Sequence, residues 1–140
     1  MVARRKTGDW PTATLPQLTG RILVVEDTPS SRQVIAAMLN QLGLTVVSVE
    51  DGLRGVEAIM DGDEADLVLM DLHTPVMNGY TATERIRQWE AQAGRARRPI
   101  IALTADAIED SRQRCLAVGM DGFLTKPIVI DTLTAALRTY

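Results

Sequence analysis

The sequence contains little cysteine and no long apolar run, and each shortage excludes a class of protein. Its 140 residues include one cysteine, Cys115, which excludes an internal disulfide and a multi-cysteine zinc site. No apolar run approaches the roughly 18 residues of a membrane span. The basic start, with Arg4, Arg5 and Lys6, is not followed by the apolar stretch of a secretory signal. We therefore expect a cytoplasmic protein.

Positive charge is scarce after the first 20 residues. Residues 21–140 carry 12 basic and 17 acidic side chains, a mildly acidic balance that does not favour nucleic-acid binding. The one local basic cluster is Arg95, Arg97 and Arg98, and three cations are too few for affinity to a phosphate backbone. We expect no nucleic-acid partner.

Length and composition predict one folded domain. A chain of 140 residues with 46% apolar residues can bury most of its surface without disulfides or a structural metal. Residues 1–20 contain two prolines, two glycines and four threonines with no apolar period, so they are predicted to be a linker or flexible tail. The domain itself is predicted to span residues 21–140.

From Arg21 onward, short apolar runs alternate with segments of helical period. Unbroken apolar runs of four or five residues favour strands that are covered on both faces. The runs are 22–25, 67–70, 100–103, the longer 44–49, which Thr45 and Ser48 interrupt, and the weaker 122–125. The helical segments follow at 29–42, 52–60, 79–91, 108–118 and from 130 onward. Five strand–helix units in series predict an α/β fold with a doubly wound, five-stranded parallel sheet and five helices.

Polar residues stand where four of the predicted strands end. Glu26 and Asp27 follow the first strand, Asp71 the third, Thr104 the fourth and Lys126 the fifth. The carboxyl ends of parallel strands lie at one edge of a sheet, and ligands bind there near the topological switch point. We expect these side chains to converge at that edge.

The chemistry of this set favours a hard divalent cation and phosphoryl transfer. Three carboxylates repel one another, and one ammonium leaves a residual charge of about −2. Oxygen ligands without a histidine or cysteine cluster favour Mg²⁺ or Mn²⁺ over zinc. An aspartate beside such an ion and a lysine can act as the nucleophile and form an acyl phosphate.

Four motifs in this order resemble the response-regulator receiver domain of two-component signalling. They are Glu26-Asp27, D-L-H-T-P-V-M-N-G from Asp71, Thr104-Ala105 and Lys126-Pro127. The resemblance covers residues 21–140 and is greatest to the receivers of hybrid sensor histidine kinases. It implies a flavodoxin-like sheet of strand order 2-1-3-4-5, with phosphorylation by a sensor histidine kinase or a histidine phosphotransfer protein.

The resemblance also implies how the acceptor and the metal are bound. Asp71 would accept the phosphoryl group from a phosphohistidine on the partner. Asp27, Asp71 and the backbone carbonyl of His73 would bind Mg²⁺ directly, and Glu26 would bind it through a water molecule.

The phosphoryl group and the switch are assigned in the same way. Lys126 would pair with Asp71 and then with the phosphoryl group, which would also accept hydrogen bonds from the Thr104 hydroxyl and the Ala105 backbone N–H. Phe123 occupies the position of the family's switch aromatic, which turns inward when Thr104 moves. The family also has a cis peptide bond after this lysine.

Some positions leave alternatives open. His73 is the only histidine, and an exposed loop side chain is its simpler interpretation. The other hypothesis is that its imidazole, together with Asp106, controls the water that hydrolyses the acyl phosphate. Thr74 stands where many receivers have methionine, and Phe123 lacks the hydroxyl of a tyrosine; we expect neither side chain to touch the reacting atoms.

Two other functions are compatible with parts of this pattern. A phosphatase of the haloacid-dehalogenase type also forms an aspartyl phosphate, but it needs an aspartate where this chain has His73 and a nucleophile after the first strand. A receiver-like scaffold that is never phosphorylated would not need all of the acidic, hydroxyl and lysine residues. We expect a monomer that is no independent enzyme but catalyses its own phosphorylation and dephosphorylation. It is either a stand-alone receiver or, as we favour, a piece excised from a larger hybrid kinase.

Overall fold

The computed structural model describes residues 16–105 and 109–140, apart from the side chains of residues 109 and 110. The strands are β1 (Arg21–Val25), β2 (Thr45–Val49), β3 (Leu67–Asp71), β4 (Ile100–Thr104) and β5 (Gly122–Thr125). The helices are α1 (Pro29–Gln41), α2 (Gly52–Met60), α3 (Gly79–Ala93), α4 (Glu109–Val118) and α5 (Ile130–Thr139). None of the described helices is long and apolar enough to cross a bilayer.

The five strands form one parallel sheet in the order β2-β1-β3-β4-β5. The predicted doubly wound sheet and the strand order implied by the resemblance are therefore confirmed. After β1 the chain moves outward to β2, and it then returns past β1 to β3. The topological switch point thus lies between the carboxyl ends of β1 and β3, where α/β folds place their ligands.

Burial follows the position of each strand in the sheet. All residues of β3 and β4 are buried, because helices cover both faces of these inner strands, whereas β2 at one edge has exposed residues at two of its five positions. On one face the core contains Ile35 and Leu39 of α1 and Leu133 of α5. On the other face it contains residues of α2, α3 and α4, including Ile86 and Cys115.

Local signals define the ends of the helices near the sheet's carboxyl edge. The Asp51 carboxylate caps α2 by accepting from the backbone N–H of Arg54 at 2.8 Å. Asn78 caps α3 in the same way. Helix α3 continues two residues past its predicted end at 91, because Gly94 is the residue that adopts the left-handed conformation (φ 66°) and terminates it. The predicted start of α4 at residue 108 lies outside the described residues.

The last residues of the predicted tail contact the end of α1. The Leu18 N–H donates to the Leu42 carbonyl at 2.7 Å, and the Gln17 side-chain amide donates to the Gln41 carbonyl at 3.1 Å. The Leu18 side chain packs on the core beneath α1 and α5. These contacts satisfy carbonyls that a helix end leaves without intrahelical partners.

The basic cluster of the sequence lies in an ion-pair network. The Arg97 guanidinium lies 2.8 Å from an Asp121 carboxylate oxygen, and the Arg98 guanidinium lies 3.5 Å from Glu90. The third member, Arg95, stacks over the Trp89 ring at 5.3 Å from its centroid. The three arginines therefore join the loop before β4 to α3 and to the residue that precedes β5.

Candidate active site

The fold brings the strand-end side chains to one edge of the sheet. Glu26 and Asp27 follow β1, and Asp71 is the last residue of β3. Thr104 ends β4 with 2% of its surface exposed, and its carbonyl accepts from the Lys126 N–H at 2.7 Å. The convergence predicted from the sequence is therefore present in the structure.

The three carboxylates form a compact group at the switch point. One oxygen from each of Glu26, Asp27 and Asp71 lies within 4.8 Å of the others. Glu26 is fully buried and Asp71 is 3% exposed, whereas Asp27 faces solvent. Such a group of oxygen donors, buried at two of its three positions, fits a hard divalent cation that approaches from the solvent side.

Lys126 pairs with two of the carboxylates. Its Nζ lies 2.6 Å from Glu26 Oε1 and 3.1 Å from Asp71 Oδ2. The resemblance implied the pair with Asp71; the shorter contact with Glu26 is an additional feature of the fold. Burial alone would lower the pKa of the ammonium, but the two carboxylates raise it above its usual value. Lys126 is therefore a cation at neutral pH.

The pKa values of the two buried carboxyls, Glu26 and Asp71, are shifted in opposite directions. Burial raises the pKa of Glu26, and Asp71 adds to this, against the opposing effects of Lys126 and the Thr28 N–H. Burial would also raise the pKa of Asp71, but the His73 N–H, Glu26 and Lys126 together bring it below its usual value. Asp71 is consequently the more readily ionised of the two, and a carboxyl must be ionised to act as a nucleophile.

The other predicted residues lie around this centre or along β5. The His73 side chain is exposed, while its backbone N–H donates to Asp71 Oδ1 at 3.0 Å. Ala105 is exposed directly after β4, and Asp106 lies outside the described residues. Phe123 is half-buried in β5, and the Arg112 guanidinium of α4 stacks over its ring at 4.7 Å from the centroid.

Sequence reasoning missed Arg32 in the first part of α1. Its Nη1 donates to the backbone carbonyls of Glu26 at 2.8 Å and Asp27 at 3.2 Å. These bonds fix the loop that carries the acidic pair. An arginine in a helix is usually a solvated side chain, so the sequence carries no signal for this contact.

Comparison with known proteins places the chain in a family. The profile of the response regulator receiver domain matches residues 22–138. The sensor protein GacS of Pseudomonas syringae pathovar syringae is 44% identical over 108 residues, which are 77% of this chain and 12% of that protein. This chain thus spans about an eighth of that relative.

Two solved structures share the fold. The receiver domain of the sensor histidine kinase PA1611 from Pseudomonas aeruginosa, with a magnesium ion coordinated in its active-site cleft, is 41% identical with a TM-score of 0.77. The match covers 88% of this chain and 98% of that domain. The receiver domain of Ssk1 from Saccharomyces cerevisiae, crystallised with the phosphotransfer protein Ypd1, is 27% identical with a TM-score of 0.80, over 88% of each chain.

The chain belongs to the response regulator receiver domain family. It is a receiver domain of two-component phosphorelay signalling, and it is similar to the receivers of hybrid sensor histidine kinases. This family assignment favours the receiver over both the dehalogenase-type phosphatase and the unphosphorylated scaffold.

Proposed function

We propose that Asp71 accepts a phosphoryl group from a phosphohistidine on a partner protein, in a reaction that requires Mg²⁺. The observation that carries the proposal is the position of the Asp71 carboxylate. It ends an inner strand, lies within 4.8 Å of the Glu26 and Asp27 oxygens, and has its Oδ2 3.1 Å from the Lys126 ammonium.

Asp27, Asp71 and the His73 carbonyl would hold the ion directly, and Glu26 would hold it through a water molecule. The donor set supports this assignment, because it offers only oxygens and the Lys126 charge does not balance three carboxylates. A bound divalent ion would neutralise the charge that develops on the phosphoryl oxygens. Mn²⁺ meets the same requirements.

The residues of the chain perform the transfer by position and charge. An Asp71 oxygen attacks the phosphorus while the P–N bond breaks, and the electron pair of that bond returns to the imidazole. Lys126 neutralises one phosphoryl oxygen; the Thr104 hydroxyl and the Ala105 N–H donate to another. Phosphoryl transfer needs little more than such positioning and electrostatic stabilisation.

Side chains near Asp71 would also operate the switch and set the lifetime of the acyl phosphate. Movement of Thr104 toward the phosphoryl group opens space into which Phe123 turns, and this turn changes the surface of α4 and β5. The Arg112 guanidinium, which stacks over the half-buried Phe123 ring, would have to release it for this turn. The exposed His73 side chain, with Asp106, would control the water that hydrolyses the acyl phosphate.

The partner is a sensor histidine kinase or a histidine phosphotransfer protein. The Ssk1 receiver in complex with Ypd1 supports a phosphotransfer protein, and the similarity to the sensor histidine kinase GacS of Pseudomonas protegens supports a kinase. The proposed setting is cytoplasmic, and a free, buried Cys115 is compatible with a reducing compartment. The proposed functional unit is a monomer that spans residues 21–140.

The test incubates the protein with Mg²⁺ and acetyl phosphate and measures the intact mass. We expect a gain of one phosphoryl group in the native chain and in Asp61→Asn, a variant of an exposed aspartate at the end of α2. We expect no gain in Asp71→Asn or without Mg²⁺. A gain that survives Asp71→Asn would place the acceptor elsewhere and refute the proposal.

A further inference from the structure

The loop between β3 and α3, residues 72–78, contains a strained turn close to Asp71. Val76 has a φ of +68°, a left-handed conformation that β-branched residues rarely adopt. The Met77 N–H donates to the Pro75 carbonyl at 2.7 Å, which closes a three-residue γ-turn around Val76. Val76 is 77% exposed, so its own side-chain packing does not hold this conformation. Other contacts must stabilise the turn.

Thr74 supplies such contacts. It is 8% exposed, and its hydroxyl donates to the Met77 carbonyl at 2.7 Å and accepts from the Gly52 N–H at 3.1 Å. The Gly52 N–H also lies 3.1 Å from the Met77 carbonyl. A Cβ at Gly52 would collide with that carbonyl, so the close approach of the two segments requires glycine. The Thr74 hydroxyl thus joins the loop to the first residue of α2.

The same loop positions a donor on the acceptor carboxylate. The residue before Thr74, His73, donates its N–H to Asp71 Oδ1 at 3.0 Å. At the other end of the loop, the Gly79 N–H donates to the Leu72 carbonyl at 3.1 Å. Between these two anchors, the Thr74 hydroxyl donates to the Met77 carbonyl of the loop and accepts from the Gly52 N–H of α2, beside the backbone bond from Gly52 to Met77. A methionine, which many receivers have here, lacks a hydroxyl and could form neither bond.

We propose that Thr74 is a positioning residue for the phosphorylation of Asp71. Its hydroxyl fixes the strained turn against α2 and thereby holds the His73 N–H on the Asp71 carboxylate. The inference rests on the proposed function, in which Asp71 is the acceptor. It assigns a role in the reaction to a side chain that does not touch the reacting atoms.

The test compares three variants in the full chain. Thr74→Val removes the hydroxyl at nearly constant volume, and Thr74→Ser retains it. Thr83→Val is the matched control, because Thr83 is buried like Thr74 but its hydroxyl has no hydrogen-bond partner among the described residues. For each, the rate constant of phosphorylation is measured with saturating Mg²⁺ and acetyl phosphate, at a temperature where circular dichroism finds every variant folded.

We expect Thr74→Val to lower this rate constant by about fivefold, which corresponds to the loss of a hydrogen bond worth about 1 kcal/mol. Thr74→Ser should recover most of the rate, and Thr83→Val should leave it unchanged. Hydrogen exchange provides a readout without phosphorylation: the Gly52 and His73 amides should exchange faster in Thr74→Val alone.

Equal rate constants for Thr74→Val and Thr83→Val would overturn the inference, as would failure of Thr74→Ser to recover the rate. A lower melting temperature with an unchanged rate constant would also overturn it, since Thr74 would then be structural only. Failure of the native chain to gain a phosphoryl group at Asp71 would instead refute the proposed function. The two failures are therefore distinguishable.

Discussion

Replacing Lys126 with methionine removes the ammonium that lies 2.6 Å from Glu26 Oε1 and 3.1 Å from Asp71 Oδ2. Methionine keeps most of the aliphatic length, so the change is chiefly one of charge. Glu26 is fully buried, and loss of one partner from a buried ion pair costs about 3–5 kcal/mol. The Lys126 side chain is 26% exposed, so we expect a loss of stability at the lower end of this range, about 3 kcal/mol, at pH 8 without metal.

The stability lost in Lys126→Met should depend on pH. Burial already raises the pKa of Glu26 in the native protein. Without Lys126 the pKa rises further, so folded Glu26 binds a proton at pH values where the unfolded chain has released it. The folded state then binds more protons than the unfolded state, and the stability of the variant falls as pH rises from the unfolded pKa through the raised folded pKa. The destabilisation is therefore smaller at pH 5 than at pH 8.

The assay is urea unfolding followed by circular dichroism at both pH values. Arg97→Met is the control, because Arg97 pairs with Asp121 but is 55% exposed, and such pairs contribute about 0.2–1 kcal/mol. The double variant Glu26→Gln with Lys126→Met should lose less stability than the single lysine variant, since only the Asp71 carboxylate, and not that of Glu26 as well, then lacks its lysine partner. A Lys126→Met variant no less stable than the control, or equally destabilised at pH 5 and 8, would refute the reasoning.

Three further predictions test the metal, the core and the N-terminal contacts. Millimolar Mg²⁺ should raise the melting temperature, because the folded state alone assembles the acidic group, and Asp27→Asn should remove most of this shift. Burial raises the pKa of the Cys115 thiol, so an aromatic disulfide reagent at pH 8 should react with it far more slowly in native protein than in urea; equal rates would contradict the burial. Deleting residues 1–20 should cost about 1–2 kcal/mol more than deleting residues 1–15, because only the longer deletion removes Leu18 from the core; equal urea midpoints would exclude this contribution.

Much of the fold could be predicted from the sequence because its signals are local. Short apolar runs predicted five strands, and the structure contains five strands at those positions, of which the inner β3 and β4 are buried throughout. The residues that follow these runs could also be predicted to meet, because parallel strands in one sheet present their carboxyl ends at a common edge. The strand order came from the resemblance to receiver domains and not from periodicity.

The contacts that complete the site join residues that lie far apart in the sequence. The bond from Gly52 to Thr74 joins residues 22 positions apart, and the pair of Lys126 with Asp71 spans 55 positions. No local pattern encodes such distances, so the shorter contact of Lys126 with Glu26 and the bonds of Arg32 to the acidic loop were not foreseen.

The sequence by itself determined which segments become strands and which polar side chains stand at their ends, because periodicity and chemical type act over a few residues. Only the tertiary structure decided how those side chains share charge and which hydrogen bonds hold their loops. Burial raised the pKa of Glu26, whereas the His73 N–H, Glu26 and Lys126 lowered that of Asp71, although the two side chains differ by one methylene. That difference arises from desolvation and neighbouring donors, which exist only after the chain has folded.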